Sequence, residues 1–385
     1  MHTTARPKER SLLPTVLFVT TLRHNALTAT QRTFFTASSS LSHATITPSK
    51  TPVRGVVHQP HLLYGPPGRK ELVLIDTRAR LEEISRLPAW TATRSAAPVE
   101  PSYRVEPVPD KGLGLVATRD IKSGEMILSE PPLLLFGYQL STVDSSGLDR
   151  VFADAVNGLS TRSNDAYLAL HNSSLPDYPL LARLKTNGHD LWKKADYGPS
   201  VFEANCGVFN EISRANHSCT PNAHFSFCLL NNLEGTLHAG LSIQRGEEIC
   251  ISYIGTEATR ATRQAALRNN HRIECKCATC TMDPDRIKAS DARRVEIGNF
   301  AHWLASHPEL STLDELEALL ADEKLLTAAP GLYFIGFASS VVRGGRQDER
   351  AQVWAGRTRE AYAAMFGGST PLPPVWAKVL EMTGY

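Results

Sequence analysis

Hydrophobic and polar positions change period several times along the chain. Between 71 and 90 (ELVLIDTRARLEEISRLPAW), Leu74, Ile75, Leu81, Ile84 and Leu87 recur at helical spacing until Pro88 interrupts it, which predicts a helix. Four prolines within Ala96–Pro109 predict an extended connector. The apolar runs LGLVAT and EMILSEPPLLLF flank the turn-like stretch Ile121–Glu125 and read as a strand–turn–strand pair. Helical spacing takes over at 145–195, where Leu148, Val151, Phe152, Val156 and Leu159 share a face. Phe225–Leu230, Gly240–Ile243 and Glu248–Ile254 are short and strand-like, with glycine-containing turns between them. The pattern is helical from Gly255 to the cysteines near 275. It is mostly helical beyond Asp291, as at Leu313, Leu316, Leu319 and Leu320. Short strands on both sides of a helical insertion, with no internal repeat, predict an α+β domain followed by a helical tail.

Composition sharpens the ends of this picture. A chain of 385 residues with 42% hydrophobic positions has material for one large domain or two ordinary ones. It contains no run of eighteen apolar residues, so neither a transmembrane helix nor a membrane partner is expected. A net charge of +2 gives no electrostatic case for direct nucleic-acid binding. That balance conceals an asymmetry. Residues 1–70 carry nine Lys/Arg against Glu9 alone, and sixteen Ser/Thr fall between Ser11 and Thr51. A basic, hydroxyl-rich, nearly acid-free segment describes either a transit peptide or a disordered tail. The first reading points to mitochondria, the second to nucleus or cytoplasm. A secretory signal over Leu12–Leu22 is disfavoured, because Pro14 and threonines interrupt its apolar core.

Chemistry gathers in the second half. All seven cysteines lie after residue 205, an odd and clustered set that points to metal binding rather than a disulfide framework. Cys275, Cys277 and Cys280 put three thiols within six residues, and a closed zinc site needs four ligands. From the residues alone the fourth stays open among Cys206, Cys219, Cys228, Cys250 and the histidines. A redox pair at Cys277 and Cys280 lacks its usual βαβ surroundings. Gly112–Ala117 matches a G-x-G-x-x-A dinucleotide fingerprint, yet Pro107 and Pro109 precede it and no helical pattern follows. The Rossmann reading is rejected, and the glycines are left as a place of close backbone approach. Arg214–Asn222 packs amide, imidazole, hydroxyl and thiol groups beside Pro221. Arg245–Gly255 reads as a strand carrying Tyr253.

Taken in order, GLGLVATRDIKSGE, NHSCTPN, GEEICISY and CKCATC resemble the motifs of SET-domain methyltransferases with a post-SET zinc cluster. The likeness is closest to the SET-and-MYND type and its fungal relatives, and it covers roughly residues 103–281 apart from the helical insertion. The resemblance implies an α+β fold: a SET domain of short β-sheets with a knot-like core at 101–256, interrupted by a helical insertion at about 134–204. A post-SET zinc cluster at 257–283 and a helical C-terminal region at 284–385 would follow. A leader at 1–70, then a helix and linker at 71–100, would precede.

The implied activity is methyl transfer from S-adenosylmethionine to a lysine side chain of a protein substrate, histone or not. A non-catalytic SET module that binds a peptide or protein partner is the alternative. Carried over by position, Lys111, Gly112, Leu113 and Gly114 would cradle S-adenosylmethionine through their backbone, and Asn216 and His217 would hydrogen-bond it. Tyr253 would be the catalytic residue at the mouth of the lysine channel, beside the cofactor. Cys219 would complete a structural zinc set with Cys275, Cys277 and Cys280. A monomer is expected. Two departures stand out. Ile273 occupies a position where the family often has an aromatic residue, and 134–204 holds no cysteine from which to build a MYND module.

Overall fold

The computed structural model describes residues 59–65, 71–91, 100–137, 140, 145–172, 177–191, 205–228, 233–304, 310–325, 333–334, 336–337, 340–341, 349–368, 372 and 374–384. Its strands are β1 (His61–Tyr64), β2 (Val73–Asp76), β3 (Tyr103–Val108), β4 (Gly112–Ala117), β5 (Met126–Glu130) and β6 (Leu134–Gly137). They continue with β7 (His189–Leu191), β8 (Asn205–Val208), β9 (Asn216–His217), β10 (Ala223–Cys228), β11 (Glu234–Ala239) and β12 (Glu248–Ile251). Three small sheets result, in the orders β1-β2-β6-β8-β7, β10-β11-β5 and β3-β4-β12-β9. The helices are α1 (Arg78–Ser85), α2 (Pro88–Thr91), α3 (Ser145–Asn157), α4 (Thr161–Leu168) and α5 (Pro179–Asn187). Beyond the sheets come α6 (Arg260–His271), α7 (Pro284–Leu304), α8 (Leu310–Asp322), α9 (Glu349–Phe366) and α10 (Pro374–Thr383). The class is α+β.

Several expected elements differ in the structure. Leu74 and Ile75 belong to strand β2 rather than to a helix, and all four residues of that strand are buried. β2 lies between antiparallel β1 and parallel β6, so an unbroken apolar run suits it better than one apolar face would. The helix begins only at Arg78, after Asp76 accepts hydrogen bonds from the Thr77 amide and from Arg80 Nε. Residues 61–64, placed in the leader by composition, form β1. The leader itself, up to residue 58, lies outside the described residues.

The expected pair between the LGLVAT and EMILSEPPLLLF runs does not form either. β4 pairs with β3 and β12, whereas β5 pairs with β11 in a different sheet. The tight reversal at Asp110 (φ 61°) and Gly112 (φ 75°) joins β4 to the preceding strand instead. Within the expected connector at 96–109, residues 103–108 are thus an edge strand, where Pro107 needs no ladder donor. Among the described residues of the expected helical insertion the last helix ends at Asn187, and His189–Leu191 is a strand.

α3, α4 and α5 bury Leu148, Phe152, Val156, Tyr167 and Leu181 against the first sheet. The other two sheets share with the opposite face of the first a separate core that includes Leu74, Leu115, Ile127, Leu135, Leu237 and Ile249. The C-terminal helices make a third core around Phe334, Phe337, Trp354, Tyr362 and Trp376.

Candidate active site and cysteine centre

The four-stranded sheet assembles motifs that are far apart in sequence. β12 pairs antiparallel with β4 (Ile249 opposite Leu115) and parallel with β9 (Cys250 opposite Asn216, Ile251 opposite His217). This brings Gly112–Gly114, Asn216–His217 and the approach to Tyr253 side by side. Glu248 is the hub. Its carboxylate receives Lys111 Nζ at 2.5 Å and Asn216 Nδ2 at 2.9 Å, and Asn216 also donates to the Leu113 carbonyl at 3.3 Å. Burial works against the Lys111 charge, but the Glu248 hydrogen bond and charge outweigh it and hold the ammonium above its usual range. Gly114 has no room for a side chain: a Cβ there would lie 2.6 Å from Val108 and 2.8 Å from Asn216 Nδ2. At Gly112 none of the described residues lies within 4 Å of such an atom, so the turn is open there.

Tyr253 and His217 are locked together. The Tyr253 amide donates to His217 Nδ1 at 3.0 Å, and the other ring nitrogen lies 3.4 Å from Cys219 Sγ. Burial pushes the imidazole down to about 3, so it is neutral. Both ring nitrogens are thus committed inside the protein. The Tyr253 hydroxyl donates to the Ala215 carbonyl at 2.8 Å, and burial raises its pKa well above the ordinary phenol. Its ring packs between His217 and His271, with centroids at 5.4 and 5.3 Å. Ile273 is half-buried just beyond that second histidine.

The sulfur atoms of Cys219, Cys275, Cys277 and Cys280 all lie within 4.8 Å of one another, with Cys219 and Cys280 at 3.6 Å. Tetrahedral zinc with bonds of about 2.3 Å separates its sulfurs by roughly 3.8 Å, so the spacing fits a closed four-thiolate site. The cluster is buried with Leu267 and Ile254. Hydrogen bonds from its neighbours hold the Cys277 thiol down, and the same sharing pushes Cys219 and Cys275 up. Cys206, one of the four thiols left open by spacing, sits in the core under α3–α5. Cys250 is on β12, its thiol pushed up to about 12 by burial.

Gly112–Gly114, Asn216, His217, Glu248 and Tyr253 fall inside a recognised unit, since the SET domain family matches residues 112–254, and the three later cysteines lie beyond it. This part of the chain matches the SET domain. The protein named Histone-lysine N-methyltransferase set5 from Schizosaccharomyces pombe is 26% identical over 275 residues, 69% of this chain and 79% of its own. Mus musculus Protein-lysine N-trimethyltransferase SMYD5 is 41% identical over 109 residues, 27% of this chain and 26% of its length. Homo sapiens Histone-lysine N-methyltransferase SMYD3 is 28% identical over 187 residues, 44% of this chain and 41% of its length. The chain thus spans less than half of the latter two. A crystal structure of the SET domain of LSMT bound to lysine and AdoHcy covers 74% of this chain and 87% of its own at TM-score 0.31 and 11% identity, too loose a likeness to argue from.

Sequence reasoning missed the residues that fasten this SET domain. Asn222 pins β12 at two points, donating to the Glu248 carbonyl at 2.9 Å and accepting from the Cys250 amide at 2.8 Å. Arg294, fully buried on α7, donates to the carbonyls of Cys219 and Thr256 (2.9 Å each) and to Thr220 Oγ1 at 3.1 Å. Its Nε meets Glu323 at 2.7 Å. No spacing signal marks an arginine whose partners are main-chain carbonyls 38 and 75 residues earlier.

Proposed function

We propose that the chain is an S-adenosylmethionine-dependent protein-lysine N-methyltransferase, organised as a SET domain at 101–256, a zinc-bearing segment at 257–283 and a helical region beyond. The observation carrying this reading is the convergence of Gly112–Gly114, Asn216 and Tyr253 around β12 of one sheet. The lining fits the cofactor: a lysine and a carboxylate stand beside a glycine turn open to solvent, groups suited to an amino-acid end that bears both charges. Lys111, the main chain of Gly112–Gly114 and Asn216 would hold it. When bound, S-adenosylmethionine supplies an electrophilic methyl group on a positive sulfur.

The chain's own residues do the rest. Tyr253 stays protonated at neutral pH, so it orients the amine and is no base. Its proton is engaged by the Ala215 carbonyl, which fixes the hydroxyl's rotation and leaves oxygen lone pairs to accept an amine N–H. A substrate lysine, with a free pKa of about 10.4, must enter as the neutral amine. The apolar wall around Tyr253 disfavours the ammonium form through desolvation, and alignment supplies the acceleration. Zinc on the four cysteines would be structural, since four thiolates leave no open position. It would join the 216–222 segment to 275–280 behind Tyr253.

Labelled methyl transfer into a total cell extract tests the reading. The expected product is N-methyl-lysine in one or a few proteins. Label absent from lysine would overturn the enzyme reading, and cofactor binding without any transfer would favour the partner-binding module.

A further inference from the structure

We infer that Arg263 is the cation that balances the four-cysteine centre and sets how tightly that centre keeps a divalent metal. The inference rests on the zinc reading of those cysteines. α6 presents one face to the cluster, with Arg260, Arg263, Gln264 and Leu267 at helical spacing. Arg260 Nε donates to the Cys280 carbonyl at 2.7 Å. The Gln264 amide donates to the Cys275 carbonyl at 2.7 Å and accepts from the Cys275 amide at 3.0 Å. Leu267 packs directly with the four cysteines. Three of these four residues thus fix the backbone or fill the space behind the ligands.

Arg263 is different. It is 1% exposed, so a full positive charge sits in the interior. One of its terminal nitrogens donates to the Ala258 carbonyl, and its nearest carboxylate, on Asp291, is 3.7 Å away. Its buried Nε has no hydrogen-bond partner among the described residues. A buried guanidinium with an unused donor is costly unless a negative group compensates it. Besides the partly exposed Asp291, the groups beside it are the sulfurs of Cys219 and Cys280, behind which α6 packs through Gln264 and Leu267. Four neutral thiols offer little charge. Four thiolates around a divalent ion carry a net charge of about −2, with the excess on sulfur. Metal and arginine then need one another: the ion keeps the sulfurs ionised, and the ionised sulfurs give Arg263 its counter-charge and an acceptor.

The test uses the full chain loaded with zinc, and competition against a chromogenic chelator. Arg263→Met should lower zinc affinity by about tenfold to a hundredfold, the usual effect of losing a group that hydrogen-bonds a metal ligand. Arg263→Lys, which keeps the charge, should recover much of that loss. In cobalt-substituted protein, Arg263→Met should also shift the thiolate-to-metal charge-transfer bands, which packing alone would leave in place. If Arg263→Met does not fold, Arg263→Gln takes its place and should hold zinc more weakly than Arg263→Lys. Unchanged affinity and spectra would overturn the inference, as would equal losses of urea stability in loaded and metal-stripped protein. A wild-type chain that holds no zinc would instead remove the reading beneath it, so the two failures are distinguishable.

Discussion

Asn216 holds two jobs within one amide group, donating both to Glu248 and to the Leu113 carbonyl, so it ties the glycine turn to β12. Asn216→Ala should leave the half-buried Glu248 with Lys111 alone and the Leu113 carbonyl without its side-chain donor, at a cost of about 1–3 kcal/mol. That predicts a fall in S-adenosylmethionine affinity of roughly tenfold to over a hundredfold by isothermal titration. Gly114→Ala should act in the same direction by pushing Val108 and Asn216 aside, with little loss of fold. Unchanged affinity in both variants would move the cofactor away from this turn. A different residue governs pH. Glu130 accepts the amides of Glu211 and Ile212 at 2.7 and 2.6 Å, yet desolvation, with Glu211 adding to it, lifts its carboxyl to about 7. Between the unfolded value of about 4.3 and that raised value, the folded protein keeps a proton that the unfolded chain releases. The contribution is therefore full at low pH and is lost as pH rises through about 7. Relative to Glu130→Gln, the wild-type urea midpoint should decline from about pH 5 to about pH 8. A constant offset across that range would contradict the assignment.

Elements show where sequence is readable and where it is not. The grouping of Cys219 with the three later cysteines is legible only through the family resemblance, since spacing alone leaves the fourth ligand open. The α+β class, α3, α6 and the β12 strand are legible because each rests on local period. β2 is not, since Leu74 and Ile75 suit a buried strand and a helix face alike until β1 and β6 flank them. The partner of β4 escapes a reading by order because strands adjacent in sequence usually pair, whereas here the positive-φ turn at Asp110 and Gly112 directs it to β3. Glu248 lies within a motif, but its role depends on which side chains the sheet brings to it. At this scale the cysteine centre makes a clear prediction. Cys219→Ala should lose zinc by metal analysis and loosen the 216–222 segment, because the site joins two distant stretches. Full zinc occupancy in that variant would remove Cys219 from the ligand set.

The whole molecule makes the C-terminal helices part of the site rather than an appendage. Arg294 on α7 grips the main chain of Cys219 and Thr256, and Ser290, Arg293 and Arg294 all meet Glu323 just beyond α8. Arg294→Met would leave these carbonyls and Glu323 short of a buried partner, a change worth about 3–5 kcal/mol. Its urea midpoint should fall, and its zinc should be easier to remove than in wild type. Loss of stability with unaltered zinc release would confine Arg294 to the helical core. The central claim concerns Tyr253, where binding and chemistry separate. Tyr253→Phe keeps the ring that packs between His217 and His271 and removes only the hydroxyl held by Ala215. Measured together with wild type, it should bind S-adenosylmethionine with unchanged affinity while methyl transfer to lysine falls about a hundredfold or yields a different number of methyl groups. Full activity with the same product would contradict the assignment of Tyr253 as the residue that positions the amine.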